Sequence, residues 1–354
     1  MYLRSSDGSK MKRNLKLNTE YPAPDEPEIT EKLIALLKGI IEQRYFNGVT
    51  HRDVHVKGHA AVRAEFTVEP LAPEFRVGLF KEPQTYQAWI RFSNSNQDPR
   101  MDIQGDIRGC AIKLMGVAGE KLLDVQRDAT THDFIFLSTD VFLTKDAKDF
   151  YELVKSGSLN SRKSLTDYLS IAKFFVTRPK VIVNLLKALR KFPNLLEMRW
   201  FSVTPYLFGE RAVKYGLKPW LKTKTDLPNR PGNNFLHERL RDHLAREGAG
   251  FDFMVQFQTD PYREPIENAL VPWKEENAPF HKLATIKIPP QRIDSPAQMM
   301  FCENLSFNPW HCLQEHRPLG STNRVRKAVY LAISEFRHSR NGVPLSEPAA
   351  NESF

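Results

Sequence analysis

Cysteine is scarce in this chain: Cys110, Cys302 and Cys312 are the only three among 354 residues. The number is odd and no C-x-x-C spacing occurs, so neither a disulfide framework nor a zinc site is suggested, and all three read as free thiols. Long apolar runs are missing as well. No stretch reaches the roughly 20 apolar residues of a membrane-spanning helix, and the first thirty residues hold no run that could form the core of a signal peptide. A cytoplasmic location is the expectation. Internal repeats and low-complexity tracts are absent, which excludes solenoid architectures. Acidic residues are outnumbered, 42 against 51 basic ones, for a net charge of +9. No nucleic-acid motif accompanies that charge, so no nucleic-acid partner is expected.

What is present describes a globular protein, with 41% apolar and 26% charged residues. Residues 1–28 are polar and carry Pro22, Pro24 and Pro27, which suggests an extended arm lying on the body or on a neighbouring subunit. Such an arm makes a homo-oligomer plausible. From Glu28 to Arg44 the residues Ile29, Leu33, Leu36, Leu37, Ile40 and Ile41 recur at helical spacing, with Thr30 as a candidate cap. The period then shortens. Strands are expected at 64–68, 86–92, 110–115 and 133–137, and again at 249–257 and 283–288, which points to one antiparallel sheet or barrel. Between the two groups, residues 147–199 read as helical. A last helix runs from about Ser321 to Arg337, and 346–354 read as a tail, leaving 29–345 as a single domain.

The segment 173–199 stands out for charge: Lys173, Arg178, Lys180, Lys187, Arg190, Lys191 and Arg199 face Glu197 alone. Val181, Ile182, Leu185, Leu186, Leu189 and Phe192 alternate with them. The plainer reading is a core-packed helix with a solvated basic face; the sharper one is peripheral contact with an anionic membrane.

Two clusters could carry chemistry. His51, His55 and His59 fall within nine residues, and neutral imidazoles suit several metals. No further ligand type at a diagnostic spacing accompanies them, so surface histidines before a strand is the plainer reading. On the last helix, Arg326 and Tyr330 are four apart and share a face. A guanidinium beside a phenol favours the phenolate, a good ligand for ferric iron, although such pairs are more often ordinary packed neighbours.

Taken together, these segments resemble the haem catalases, and more closely their shortened catalase-related relatives, which include peroxidases and fatty-acid hydroperoxide enzymes such as allene oxide synthases. The resemblance spans roughly residues 45–345. The string Arg52-Asp53-Val54-His55-Val56-Lys57-Gly58 is similar to the family's distal segment, Arg91-Phe92-Ser93 to its Arg-Phe-Ser strand end, Asp106-Ile107-Arg108-Gly109 to its Asp-x-Arg-Gly segment, and Arg326 with Tyr330 to its proximal Arg-x-x-x-Tyr. The resemblance implies an α+β fold: an antiparallel catalase-like β-barrel with a helical insertion and a C-terminal helix that supplies the haem ligand. It implies haem b as cofactor, with Tyr330 as the iron ligand and His55, oriented by Ser93, on the opposite face. It further implies Arg52, Arg91 and Arg337 toward the propionates, and Val54 and Phe150 against the porphyrin.

One departure bears on the reaction. The family's distal Asn corresponds to Leu137 here, so a carboxamide that would hold hydrogen peroxide is missing. The expectation is therefore a peroxidase or an organic or fatty-acid hydroperoxide lyase or isomerase. A true hydrogen peroxide catalase and a non-enzymatic haem carrier are the alternatives.

Overall fold

Apolar residues at every second position from residue 58 onward dictate a pleated sheet with one face buried, and the computed structural model closes that sheet on itself. It describes residues 14–349 and 352, apart from 161 and 223, together with the backbone of 2–4 and 10–12. A hairpin of β1 (Tyr2–Arg4) and β2 (Lys10–Lys12) and helix α1 (Glu26–Arg44) precede a four-stranded run: β3 (Gly58–Val68), β4 (Gln84–Asn94), β5 (Arg108–Met115) and β6 (Thr131–Leu137). Helices α2 (Ala147–Leu153), α3 (Leu165–Val176) and α4 (Pro179–Ala188) follow. The chain returns to the sheet as β7 (Trp200–Phe201), β8 (Tyr206–Phe208) and β9 (Arg211–Pro219), then α5 (Phe235–Leu244), β10 (Ala249–Phe257) and β11 (Phe280–Ile288). Helices α6 (Pro296–Asn304) and α7 (Ser321–Asn341) complete it.

All pairings are antiparallel, in the order β10-β11-β3-β4-β5-β6-β7-β9, and β9 pairs again with β10. The result is an eight-stranded barrel with β8 as an extra strand on β9. Its lumen is solid. Phe253 lies 4.9 Å from Phe134, 5.1 Å from Phe66 and 5.3 Å from Tyr215, ring centre to ring centre, so no ligand passes through it.

The lumen takes the even-numbered residues of β3 to β6, such as Phe66, Ile90, Ile112 and Phe134. The odd-numbered ones therefore point outward. On that outer wall, Trp89 packs against Phe301 of α6 at 4.8 Å.

Helix α1 begins two residues before the expected Glu28. Asp25 stands at its N-cap and Pro27 in its first turn, where a proline costs nothing because that N–H has no helical partner. Thr30 is not the cap: its hydroxyl donates to Glu26 O within the helix. The region expected to be helical up to 199 is three short helices, broken where Pro179 opens α4. Nor is α4 core-packed. It buries only Val181 and Ala188, while Ile182, Leu186 and Leu189 are exposed. At the far end α7 stops at Gly342, whose φ of 63° is open to glycine at little cost.

Residues 14–25 lie along the body of their own chain. Asn18 bonds Gln258 and Ala212, and Glu20 meets Arg317 at 2.7 Å. Arg324 of α7 gathers Glu20, Glu26 and Glu267, the last two at 2.6 and 2.8 Å. The Arg324→Met variant should leave three carboxylates facing one another with a single nearby cation. We expect it to lower the unfolding free energy by roughly 3 kcal/mol, measured by urea titration.

Candidate active site

The outer wall of β4, β5 and β6 carries three rows in register: Trp89, Lys113 and Asp133; Arg91, Ala111 and Ile135; Ser93, Gly109 and Leu137. Ala111 and Ile135, at the centre, are only half-buried. The wall is a floor with apolar residues in the middle and chemistry at its edges.

His55 enters this floor from the loop before β3. Its φ is 60°, a conformation an L-residue seldom adopts, and its N–H donates to Ser95 O at 3.2 Å. The ring settles on Gly109: a Cβ there would stand 2.5 Å from His55 Cε1. Nδ1 shares a hydrogen bond of 3.0 Å with Ser93 Oγ. Burial, and after it the charges of Arg91, Arg52 and Arg326, lower the imidazole pKa to about 3, so the ring is neutral at physiological pH and Nε2 is available for proton transfer.

The loop is clamped from α1. Asp53, next to Arg52, is buried and receives Arg44 Nη1 at 3.2 Å and Gln97 Nε2 at 3.1 Å. Burial raises its carboxyl to about 6 in spite of Arg44. Val54, by contrast, is 40% exposed, an uncovered apolar side chain beside a half-buried histidine.

Three guanidiniums converge on the C-terminal turn of α6. Arg52 donates to Glu303 O at 2.7 Å, Arg91 to Cys302 O at 3.2 Å and Arg337 to Glu303 O at 2.8 Å. Arg91 also donates to His55 O at 3.0 Å. Among the described residues, the carboxylate paired with them is that of Glu303, 3.7 Å from Arg337. Burial and then the charges of Arg91 and Arg337 push the pKa of Arg52 down, and its Nε is buried with no hydrogen-bond partner. A cluster of this kind fits a polyanion.

Arg326 and Tyr330 lie on one face of α7, the guanidinium carbon 5.7 Å from the phenol ring centre. Arg326 is buried and donates to two neutral oxygens, Thr204 Oγ1 and Asn323 Oδ1, both at 3.2 Å. Next to Thr204, Val203 has a φ of 55°, a second strained residue in addition to His55. Phe150 lies 5.9 Å from Phe142, whose ring stacks under Arg326 at 5.0 Å. Phe142, Thr204 and Asn323 were not among the expected residues. Asn323 had a signal, standing three positions before Arg326 on the same helix; Thr204 had none in its own neighbourhood.

The structure thus joins His55 with Ser93, Arg52 with Arg91 and Arg337, and Arg326 with Tyr330 and, through Phe142, with Phe150. It separates the three histidines of the first cluster. His59 is fully buried on Asn94 at 2.7 Å, contrary to the surface position expected of it, and His51 lies near Glu303 at 3.3 Å. Among the described residues, no three His, Cys, Asp or Glu side chains gather to hold a metal ion. A cavity of about 510 Å³ lies elsewhere: Lys214, Trp273 and Arg199 line it, and none of the expected site residues does.

Substituting Gly109→Ala should drive the His55 ring off the floor while sparing the barrel. We expect near-wild-type thermal unfolding with a changed His55 imidazole resonance in NMR spectra; an unaltered resonance would contradict the packing described.

Comparison with known proteins agrees with this geometry. The catalase family model matches residues 41–210, which include His55, Arg91, Ser93 and Gly109 but stop short of α7. Over the whole chain, the fold is similar to that of a fungal catalase (16% identity, 72% of that chain covered, TM-score 0.67). It is likewise similar to catalase A from Saccharomyces cerevisiae (15% identity, 74% covered, TM-score 0.68) and to a bacterial catalase (14%, 72%, 0.64). No curated protein matches in sequence. The family match thus covers residues 41–210, and beyond it the likeness to catalases is one of fold.

Proposed function

We propose that this protein binds haem b on the outer wall of its barrel and reacts with organic hydroperoxides. The observation that carries the reading is the His55–Ser93 pair seated on Gly109, with Leu137 as the next residue of the same row. Haem, when bound, supplies the iron at which an O–O bond is cleaved. Arg52, Arg91 and Arg337 pair with its carboxylates, and this accounts for three cations gathered around one acid. Arg337 lies seven residues beyond Tyr330, about 10 Å along α7, a separation suited to one helix reaching both the centre and the carboxylate edge of a porphyrin. Tyr330 would be the ligand to iron, with the Arg326 charge beside its ring, and Val54 and Phe150 would cover the porphyrin. His55 Nε2 takes the proton from the hydroperoxide and returns it to the leaving oxygen, while Ser93 fixes Nδ1.

Leu137 favours the organic substrate over hydrogen peroxide. It is buried, apolar and next to Gly109 in the row, so this side of the floor offers an alkyl chain a surface and offers a small polar peroxide no amide. In the haem-supplied protein, Tyr330→Phe should lose most bound haem, seen as loss of the visible band. His55→Ala should keep it and react with a fatty-acid hydroperoxide at least a hundredfold more slowly. Oxygen release from hydrogen peroxide outpacing fatty-acid hydroperoxide turnover would instead favour a working catalase, and bound haem with neither reaction would favour a carrier.

The α3–α4 pair supports a lipid origin for that substrate. Leu165, Leu169, Val176, Val183, Leu186 and Leu189 are exposed, and between residues 162 and 191 eight basic residues accompany Asp167 as the sole acid. An apolar patch rimmed by cations suits an anionic bilayer surface. The protein should co-sediment with vesicles containing phosphatidylglycerol and not with pure phosphatidylcholine. The pair Lys180→Glu and Lys187→Glu should weaken that binding at least tenfold.

A further inference from the structure

On the outer wall, in the row beyond Arg91, Lys113 of β5 faces Asp133 of β6 with Nζ 2.7 Å from Oδ1. Both are almost wholly buried, and as a pair they are already neutral. A second carboxylate nevertheless reaches the same ammonium: Glu347 Oε2 lies 2.6 Å from Lys113 Nζ. Thr131 Oγ1 donates to Glu347 Oε2 at 2.7 Å and Gln126 Nε2 to Oε1 at 2.8 Å, with His311 Nε2 at 3.8 Å. Lys113, Thr131 and His311 are buried parts of the body. Only the carboxylate comes from outside it.

Glu347 arrives on an extended strap after α7, in which half-buried Val343, Leu345 and Glu347 alternate with exposed Pro344 and Ser346. Leu345 and Glu347 close a cavity of about 20 Å³ that Tyr330, Leu331 and Ser334 line from α7. Charge balance of the body does not require the strap. Burial raises the Asp133 carboxyl to about 7 and Glu347 adds to that rise, while Glu347, although burial raises it, is held below its ordinary range by Lys113 and His311. The seat thus holds a second anion at the expense of Asp133.

We propose that Lys113, Thr131 and Gln126 form a carboxylate-binding site beside Tyr330, filled here by the chain's own Glu347 and open, once the strap lifts, to an organic carboxylate with a short apolar chain. The carboxylate class follows from the donor set, an ammonium with a hydroxyl and an amide on the two oxygens of one group. The apolar chain follows from Leu345, which precedes Glu347 by two residues and sits with Leu123, Phe307 and Leu331. The site is independent of the haem reading, and so is its test.

The full-length Glu347→Ala variant, with its fold checked by far-UV circular dichroism, should melt several degrees lower than wild type. Hexanoate at constant ionic strength should restore most of that loss saturably, whereas hexan-1-ol and chloride should not. Calorimetric titration should give hexanoate at least tenfold tighter binding to Glu347→Ala than to wild type. An unchanged Tm, equal binding by the two proteins, or recovery with hexan-1-ol would overturn the proposal. Should the alanine variant fail to fold, hydrogen exchange on the wild-type protein decides: hexanoate should speed exchange of the amides of 345–349, and unchanged exchange would overturn it.

Discussion

Register across β4, β5 and β6 governs where everything else can sit. Side chains alternate between the two faces of a strand, so a slip of one residue would carry Arg91, Ser93, Lys113 and Asp133 into an aromatic lumen and bring Phe92, Ile112 and Phe134 to the surface. Burial of Phe66, Phe134 and Phe253 against one another therefore does more than stabilise the barrel. It excludes every alternative placement of the polar residues on the outside. The half-buried Ala111 and Ile135 floor, the histidine above it and the cations at its edge all follow from that one alignment.

Two of the loops that close the floor carry backbone strain. His55 and Val203 both hold positive φ, and each is held by neighbours that leave it little choice: the Arg44–Asp53–Gln97 clamp beside the first, the Thr204–Asn323–Arg326 bonds beside the second. Each strained residue costs on the order of 1–3 kcal/mol. A loop free to relax would release that strain and move the imidazole or the guanidinium. Each clamp includes a buried hydrogen bond between side chains distant in sequence, Gln97–Asp53 in one and Thr204–Asn323 in the other, so both are complete only with the whole fold.

Much of this was legible beforehand, and the failures have physical reasons. Most of the long strands and α7 announced themselves by period, though β9, nine residues long, did not, and His55, Ser93 and the arginines were found through the resemblance of short motifs to those of catalases. Strand β7, two residues long, is too brief for any period to show. Helix α6 buries only Gln298 and Cys302 and has no apolar stripe, whereas α5 did have one, at Leu236, Leu240 and Leu244. Pro27 was a better mark of the start of α1 than Thr30. The core-packed reading of α4 went astray because a periodic apolar face says that something is to be covered without saying that the same chain covers it. Thr204 could not be found at all, since its importance lies in an Arg more than a hundred residues away.

Helix α7 holds Arg326, Tyr330 and Arg337 on a single rigid rod, fixed at its start by Arg324 to the arm, α1 and the loop bearing Glu267. Any shift of that rod translates all three groups together. Divergence among such proteins can therefore retune the floor, the strap or the outer helices one residue at a time, but cannot adjust the phenol independently of the cation at its edge. The rod acts as a fixed ruler against which the variable parts of the site are set.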